Sequence, residues 1–243
     1  MRGAAVALAL LATACSSTGQ SSTTTVRVLA ASSLTDVYEE LAGEFELANP
    51  DVRVELQFAG SSQLASLIEE GAPGDLFAAA DLATMQRVVD SGETRSGPRI
   101  FATNTLTLVV PPDNEANVIR LVDLADRDLL VAHCALGVPC GSATAQLFAS
   151  VDLFVEADSF EPNVRSVLTK VELGEVDVGI VYVTDARAAA DRVTEIPIDA
   201  DWVVNEYSIV PLGKAHEAAD RFVAFVLSSA GQTTLADYGF GPP

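Results

Sequence analysis

Basic residues are scarce. The 243-residue chain carries 14 Lys and Arg against 34 Asp and Glu, a formal net charge of −20. That shortage excludes a nucleic-acid binder, because contacts to a phosphate backbone need a basic footprint. It also argues against docking on an anionic lipid surface. Two His and three Cys are too few for a zinc module with the usual ligand spacing. No Gly-x-Ser-x-Gly elbow occurs, and neither histidine has a convincing carboxylate partner in the sequence. A secreted hydrolase built on Ser61 or Cys140 therefore lacks its parts, and the chain reads as a non-enzyme. Residues 129–151 carry no charge if His133 is neutral, yet Gly137, Pro139, Gly141 and Gln146 interrupt the run, so it is not read as a membrane span.

What is present is apolar material, at 49% of residues. That rules out a disordered chain, and the length allows one large domain or two small ones. The N-terminus has one positive charge, Arg2, before the apolar run Ala4–Ala12. This run is too short to span a bilayer and fits the core of a secretory signal. Thr13-Ala14-Cys15 followed by a Ser/Thr-rich stretch resembles a bacterial lipoprotein signal. Residues 1–14 are read as the signal, Cys15 as the lipidated residue and 15–25 as a flexible tether. Cys134 and Cys140, six positions apart, then form an even pair. In an oxidising compartment they suggest a disulfide; the competing reading is a redox or metal pair with His133.

From Val26 onward, short apolar runs alternate with amphipathic stretches, the signature of an α/β chain with mostly parallel strands. Strands are expected at 26–31, 52–58, 76–80, 106–110, 129–133, 176–183 and 207–211. Helices are expected at 34–48, around Leu64–Ile68, and at 83–91, 121–125, 141–150, 162–173, 215–229 and 232–238. Asp75 and Asp81 are read as caps of backbone N–H groups, Arg165 as a surface ion pair, and Trp202 as core or interlobe packing.

Three strand-to-helix loops are small, hydroxylated and uncharged: Ala31-Ser32-Ser33, Ala59-Gly60-Ser61-Ser62 and Val138-Pro139-Cys140-Gly141-Ser142. A helix start leaves four N–H groups unpaired and carries a partial positive charge. Small residues let an anion approach those groups, and hydroxyls add donors. Several such starts around one cleft would hold an oxyanion without Lys or Arg. Ordinary capping is the alternative, with Ser33 and Asp36 as a capping box and Ser61 as an N-cap.

The motifs Ala30-Ala31-Ser32-Ser33-Leu34-Thr35, Phe58-Ala59-Gly60-Ser61-Ser62, Glu70–Asp81, Val138-Pro139-Cys140-Gly141, Gly179-Ile180-Val181-Tyr182 and Tyr238-Gly239-Phe240 occur in order from about Val26 to the C-terminus. Together they resemble the periplasmic molybdate-binding proteins of ABC transporters. The resemblance implies a type II periplasmic-binding-protein fold, with two α/β lobes joined by hinge strands around a ligand cleft. Lobe 1 would comprise 26–104 with 210–243, and lobe 2 105–209. It implies molybdate, and also tungstate, as ligand, with molybdenum present only as the bound oxyanion and no cofactor. Sulfate or phosphate is the alternative ligand. Ser33 and Ser61 would donate hydroxyl and backbone N–H groups, Cys140 and Val164 backbone N–H groups, and Tyr182 its phenol. The implied protein is an exported monomer on the outer face of the membrane, tethered through Cys15 and serving a membrane-embedded ABC permease.

Overall fold

Nine strands and eight α-helices alternate along residues 23–200 and 202–243, the residues that this computed structural model describes. The signal run, Cys15 and the tether up to residue 22 lie outside them. The order is β1 (Thr24–Ala31), α1 (Thr35–Ala48), β2 (Val52–Ala59), α2 (Ser61–Glu69), β3 (Leu76–Ala79), α3 (Leu82–Asp90) and β4 (Arg99–Val110). It continues with β5 (Val131–Cys134), α4 (Pro139–Ser150), β6 (Ser159–Glu161), α5 (Val164–Glu172), β7 (Val178–Tyr182), α6 (Val183–Ala188), β8 (Thr194–Ile196), β9 (Val204–Pro211), α7 (Glu217–Val226) and α8 (Ser229–Asp237). Short 3-10 turns precede α1 at Ser32–Leu34 and occupy Leu121–Ala125.

The strands follow the order β2-β1-β3-β9-β4-β7-β5-β6, with β8 on β4. The mostly parallel sheet expected from the alternation is corrected here. The pairs β1/β2, β1/β3, β5/β6 and β5/β7 are parallel, but every pairing of β4 and β9 is antiparallel. The cause is connectivity. β4 pairs with β9 through Thr105 and then with β7 from Leu106, so one strand passes between two half-sheets. β9 returns the chain to β3.

The core divides at the same place. Side chains alternate across a strand, so Val26, Val28 and Ala30 of β1 face the layer of α1, α7 and α8, while Leu29 faces α2 and α3. On α1, Val37, Tyr38, Leu41 and Phe45 recur at helical spacing and are all buried. Phe45 meets Phe222 edge-on at 5.2 Å between ring centres, a favoured aromatic geometry. A separate cluster from Leu106 to Val203 fills the other half.

Several expectations need correction. Thr24 and Thr25, assigned to the tether, pair with Val52 and Arg53 in β1. Strand β4 begins seven residues before the expected Leu106, because its first half belongs to the other half-sheet. Helix α4 begins at Pro139, whose fixed φ suits a first turn. The short elements β6, α6 and β8 escaped notice, being only three to six residues long. Trp202 is not core: it is 53% exposed, with its indole N–H on Ser150 Oγ at 3.2 Å. Asp75 and Asp81 do cap, accepting from the N–H groups of Arg27 and Thr84 at 2.7 and 2.9 Å. Among the described residues no helix is long and apolar enough to cross a membrane.

Candidate functional site

Four helix starts converge on one small cavity. They are the 3-10 turn after β1 and the first turns of α2, α4 and α5. All five residues expected from the sequence, Ser33, Ser61, Cys140, Val164 and Tyr182, line it, together with Ala31, Gly60, Ala80 and Pro162. The lining residues include no charged side chain. The cavity is tight, since the centre of a water molecule ranges over only about 10 Å³ inside it.

The first amides of these helices have no partner within the helix, although on α5 the Asn163 side chain caps the Ser166 N–H at 3.0 Å. On α2 the N-cap is Gly60, whose carbonyl takes the Gln63 and Leu64 N–H groups, and no side chain caps this helix. On α4 the N-cap is Val138, again without a side-chain cap. This overturns the capping alternative. Ser61 sits inside the first turn rather than at its cap, and its Oγ accepts from the Ala80 N–H at 3.0 Å. With that bond accepted, its proton is left to donate elsewhere. Ser33 does not form a box with Asp36; its Oγ lies 2.9 Å from the Tyr207 hydroxyl, 174 residues away. Both serines are freed for another task.

Tyr182 ends β7, fully buried, and its hydroxyl has no hydrogen-bond partner. Burial drives its pKa well above the ordinary tyrosine value, with Tyr207, Asp81 and Asp185 adding to the rise, so it stays a donor. A buried unsatisfied donor costs about 1–3 kcal/mol. Tyr182→Phe is therefore expected to leave the ligand-free protein as stable or more stable, while lowering ligand affinity by roughly tenfold. Thermal melts beside calorimetry check both signs; a large loss of stability in the free protein would contradict this account.

Close backbone approach holds the cavity shut. A Cβ on Gly60 would lie 2.4 Å from the Pro162 carbonyl oxygen, and Ser62 Oγ donates to the Gly137 carbonyl at 2.7 Å. Both contacts join the first half to the second. A Cβ on Gly141 would lie 1.9 Å from the Ala135 carbonyl oxygen, and a disulfide joins Cys134, at the end of β5, to Cys140 in the first turn of α4. The loop carrying the Cys140 amide is thereby held by a covalent closure and a tight turn. His133 takes no part in that bond; its Nδ1 lies 2.8 Å from the Cys134 carbonyl. Among the described residues no cluster of ligands suited to a metal ion occurs.

Arg165, read from the sequence as a surface ion pair, is mostly buried and spans both halves. Its Nε lies 2.6 Å from Asp185 Oδ1, off hydrogen-bond alignment, and its terminal nitrogen pairs with Asp36 of α1. It does not line the cavity. Asp185 is completely buried, and burial pushes its pKa up to about 6 despite the opposing pull of Arg165. Burial pulls the Arg165 guanidinium down, but the two carboxylates outweigh it and leave it above its ordinary value. The partners of Arg165 could not be found by spacing, since Asp36 is 129 residues away. Tyr207 and Asn104, behind Ser33, were missed for the same reason.

Comparison with known proteins places this geometry. The family model described as bacterial extracellular solute-binding protein matches residues 26–241. The molybdate-binding protein ModA of Mycobacterium bovis is 38% identical over 219 residues, covering 89% of this chain and 84% of that one. The periplasmic molybdate-binding protein of Azotobacter vinelandii superposes with a TM-score of 0.75 at 19% identity, covering 90% and 99% of the two chains. The sulfate-binding protein SubI of Mycobacterium tuberculosis superposes at 0.77 with 17% identity, covering 90% and 87%. The two superpositions give the type II binding-protein fold, and the relatives are solute carriers rather than enzymes. With the family model spanning nearly all of the described residues, the chain belongs to the bacterial extracellular solute-binding proteins.

Proposed function

We propose that this protein captures molybdate outside the cytoplasm and hands it to an ABC permease. The observation that carries the reading is the cavity itself: helix-start amides, two serine hydroxyls and an unpartnered phenol, with no charged side chain in its lining. A fully deprotonated tetrahedral dianion matches such a donor set, because dipoles fixed in a dry site stabilise charge strongly. The likeness to the M. bovis molybdate-binding protein supports molybdate over other members of the class. Tungstate, of the same shape and charge, is expected to bind as well. Lobe 1 (26–104 with 210–243) and lobe 2 (105–209) are the bodies that close on the ion, through β4 and β9. Cys15 is the proposed lipid attachment, and the carrier acts as a monomer.

Purified protein is expected to bind one molybdate or tungstate per chain by calorimetry, with sulfate and phosphate much weaker. Saturation by sulfate alone, or by none of the four, overturns the reading. Sulfate is the specific alternative, because the fold likeness to SubI is as good as that to the molybdate carrier.

A further inference from the structure

We propose that the Cys134–Cys140 disulfide is a redox modification site: its reduction by a dithiol sets a thiolate in the wall of the cavity and switches ion binding off. The inference rests on the oxyanion-binding reading above and adds a condition under which that site works.

The bond lies at the site itself. Cys140 lines the cavity, and its sulfur joins Cys134, the last residue of β5. Cys140 is the second residue of α4, a helix with no side-chain cap. A thiol at a helix start is favoured as its anion by the partial positive charge there, and ionises more readily than free cysteine. Bonded to Cys134, the sulfur carries no charge. Released, it is an anion beside the amides that the ion needs. The lining residues include no Lys, Arg or His to balance it. His133 offers no compensation either, since its Nδ1 lies against the Cys134 carbonyl and burial lowers its pKa. Thiolate and dianion then compete for one helix mouth and repel each other where little water screens them.

Loss of the bond alone leaves the loop in place. The close turn of Gly141 on the Ala135 carbonyl oxygen remains, and the Ser142 N–H still donates to the Val138 carbonyl at 2.9 Å. Charge, rather than slack, is what reduction adds.

The exchange balances. A thiolate of the dithiol attacks one sulfur, forms a mixed disulfide and expels the other cysteine. The second thiol of the reductant then displaces the remaining cysteine. Two electrons and two protons pass to the cysteine pair, the reductant ends as a disulfide, and the Cys140 proton goes to water. Cys134 has no exposed surface and Cys140 only 3%, so the attack requires the cleft to open, and a bound ion holds it closed. Linkage makes the coupling reciprocal: the factor that reduction removes from ion affinity is the factor by which the ion resists reduction.

The test uses the purified chain, reduced with dithiothreitol and freed of it by anaerobic gel filtration, with calorimetry of molybdate and tungstate at about pH 8. Reduction is expected to raise both Kd values at least about thirtyfold, and reoxidation to restore them. Replacing both cysteines by alanine removes bond and thiol together and is expected to cost less than about fivefold. Cys134→Ala alone keeps the Cys140 thiol and should bind as weakly as the reduced protein. Saturating tungstate should raise the dithiothreitol ratio needed for half reduction of the wild type by a matching factor, a measurement that needs no variant. Unchanged affinity on reduction overturns the proposal, as does half reduction that tungstate does not shift. An equal loss in the double alanine variant marks loosening of the loop and overturns it too. Oxidised protein that binds neither ion overturns the oxyanion reading itself, whereas oxidised and reduced proteins that bind alike overturn only the role of the disulfide.

Discussion

Gly60→Ala is expected to lower molybdate affinity by at least 100-fold while leaving the fold intact. The added Cβ falls 2.4 Å from the Pro162 carbonyl oxygen, about an ångström inside normal contact. Pro162 is backbone in the second half, so no flexible side chain can move aside. The two halves meet here across a cleft, and their separation relieves the clash more easily than rearrangement within either core. Opening withdraws the Cys140 and Val164 amides and the Tyr182 hydroxyl from the ion together. Hydrogen bonds to charged groups are each worth about 1.5–3 kcal/mol, so loosening two of them amounts to roughly two to four powers of ten in Kd. Calorimetry gives the affinity, and small-angle scattering should show the variant to be more extended in the presence of ligand than the wild type. Near-normal affinity with a wild-type scattering profile would show that the Gly60–Pro162 approach does not govern closure.

Arg165→Met is expected to cost about 3–5 kcal/mol of stability at pH 8 and much less at pH 5. Removing one partner of a buried ion pair leaves an uncompensated charge, here on Asp185, which has no exposed surface. Its folded pKa of about 6 already stands above the ordinary 3.8. The folded state thus retains a proton that the unfolded chain releases, so the Asp185 contribution to stability is full below about pH 4 and is lost as pH rises through 6. That two-unit gap corresponds to roughly 3 kcal/mol. Without Arg165 the folded pKa climbs further and the loss at alkaline pH deepens. Thermal or urea melts at the two pH values read the difference, and Asp185→Asn added to Arg165→Met should flatten it. An equal loss at both pH values would mean that Arg165 acts by packing alone. Ligand affinity should fall about tenfold as well, because the contact to Asp36 across the halves disappears.

The legible parts of this molecule were those written in local pattern. The apolar run Val26–Ala31 and the Val37, Leu41, Phe45 spacing report burial that the same few residues create, and the fold agrees with them. The neutral loops pointed to helix mouths, and all five expected residues line one cavity. What stayed hidden depends on partners far apart in the chain. Ser33 could be matched with Asp36 three residues on, but its partner is Tyr207. Arg165 looked solvated because neither Asp36 nor Asp185 is near it in sequence. The mixed direction of the sheet was equally out of reach, since nothing in Arg99–Val110 marks the residue at which one strand changes neighbours. Gly60 reads in the sequence only as one small residue of a neutral loop, whereas its role comes from the Pro162 carbonyl above it.

Two of the proposed contacts to the ion come from main-chain amides, those of Cys140 and Val164. A main-chain donor is indifferent to the side chain attached to it, provided the helix still begins there. Substitutions at these two positions can keep the grip wherever the helix start stays in place, which the disulfide secures at Cys140 and burial secures at Val164. Carriers of this kind can therefore share a ligand and a grip while agreeing in few of the letters that touch it, and their kinship is better judged from where helices begin than from which residues begin them.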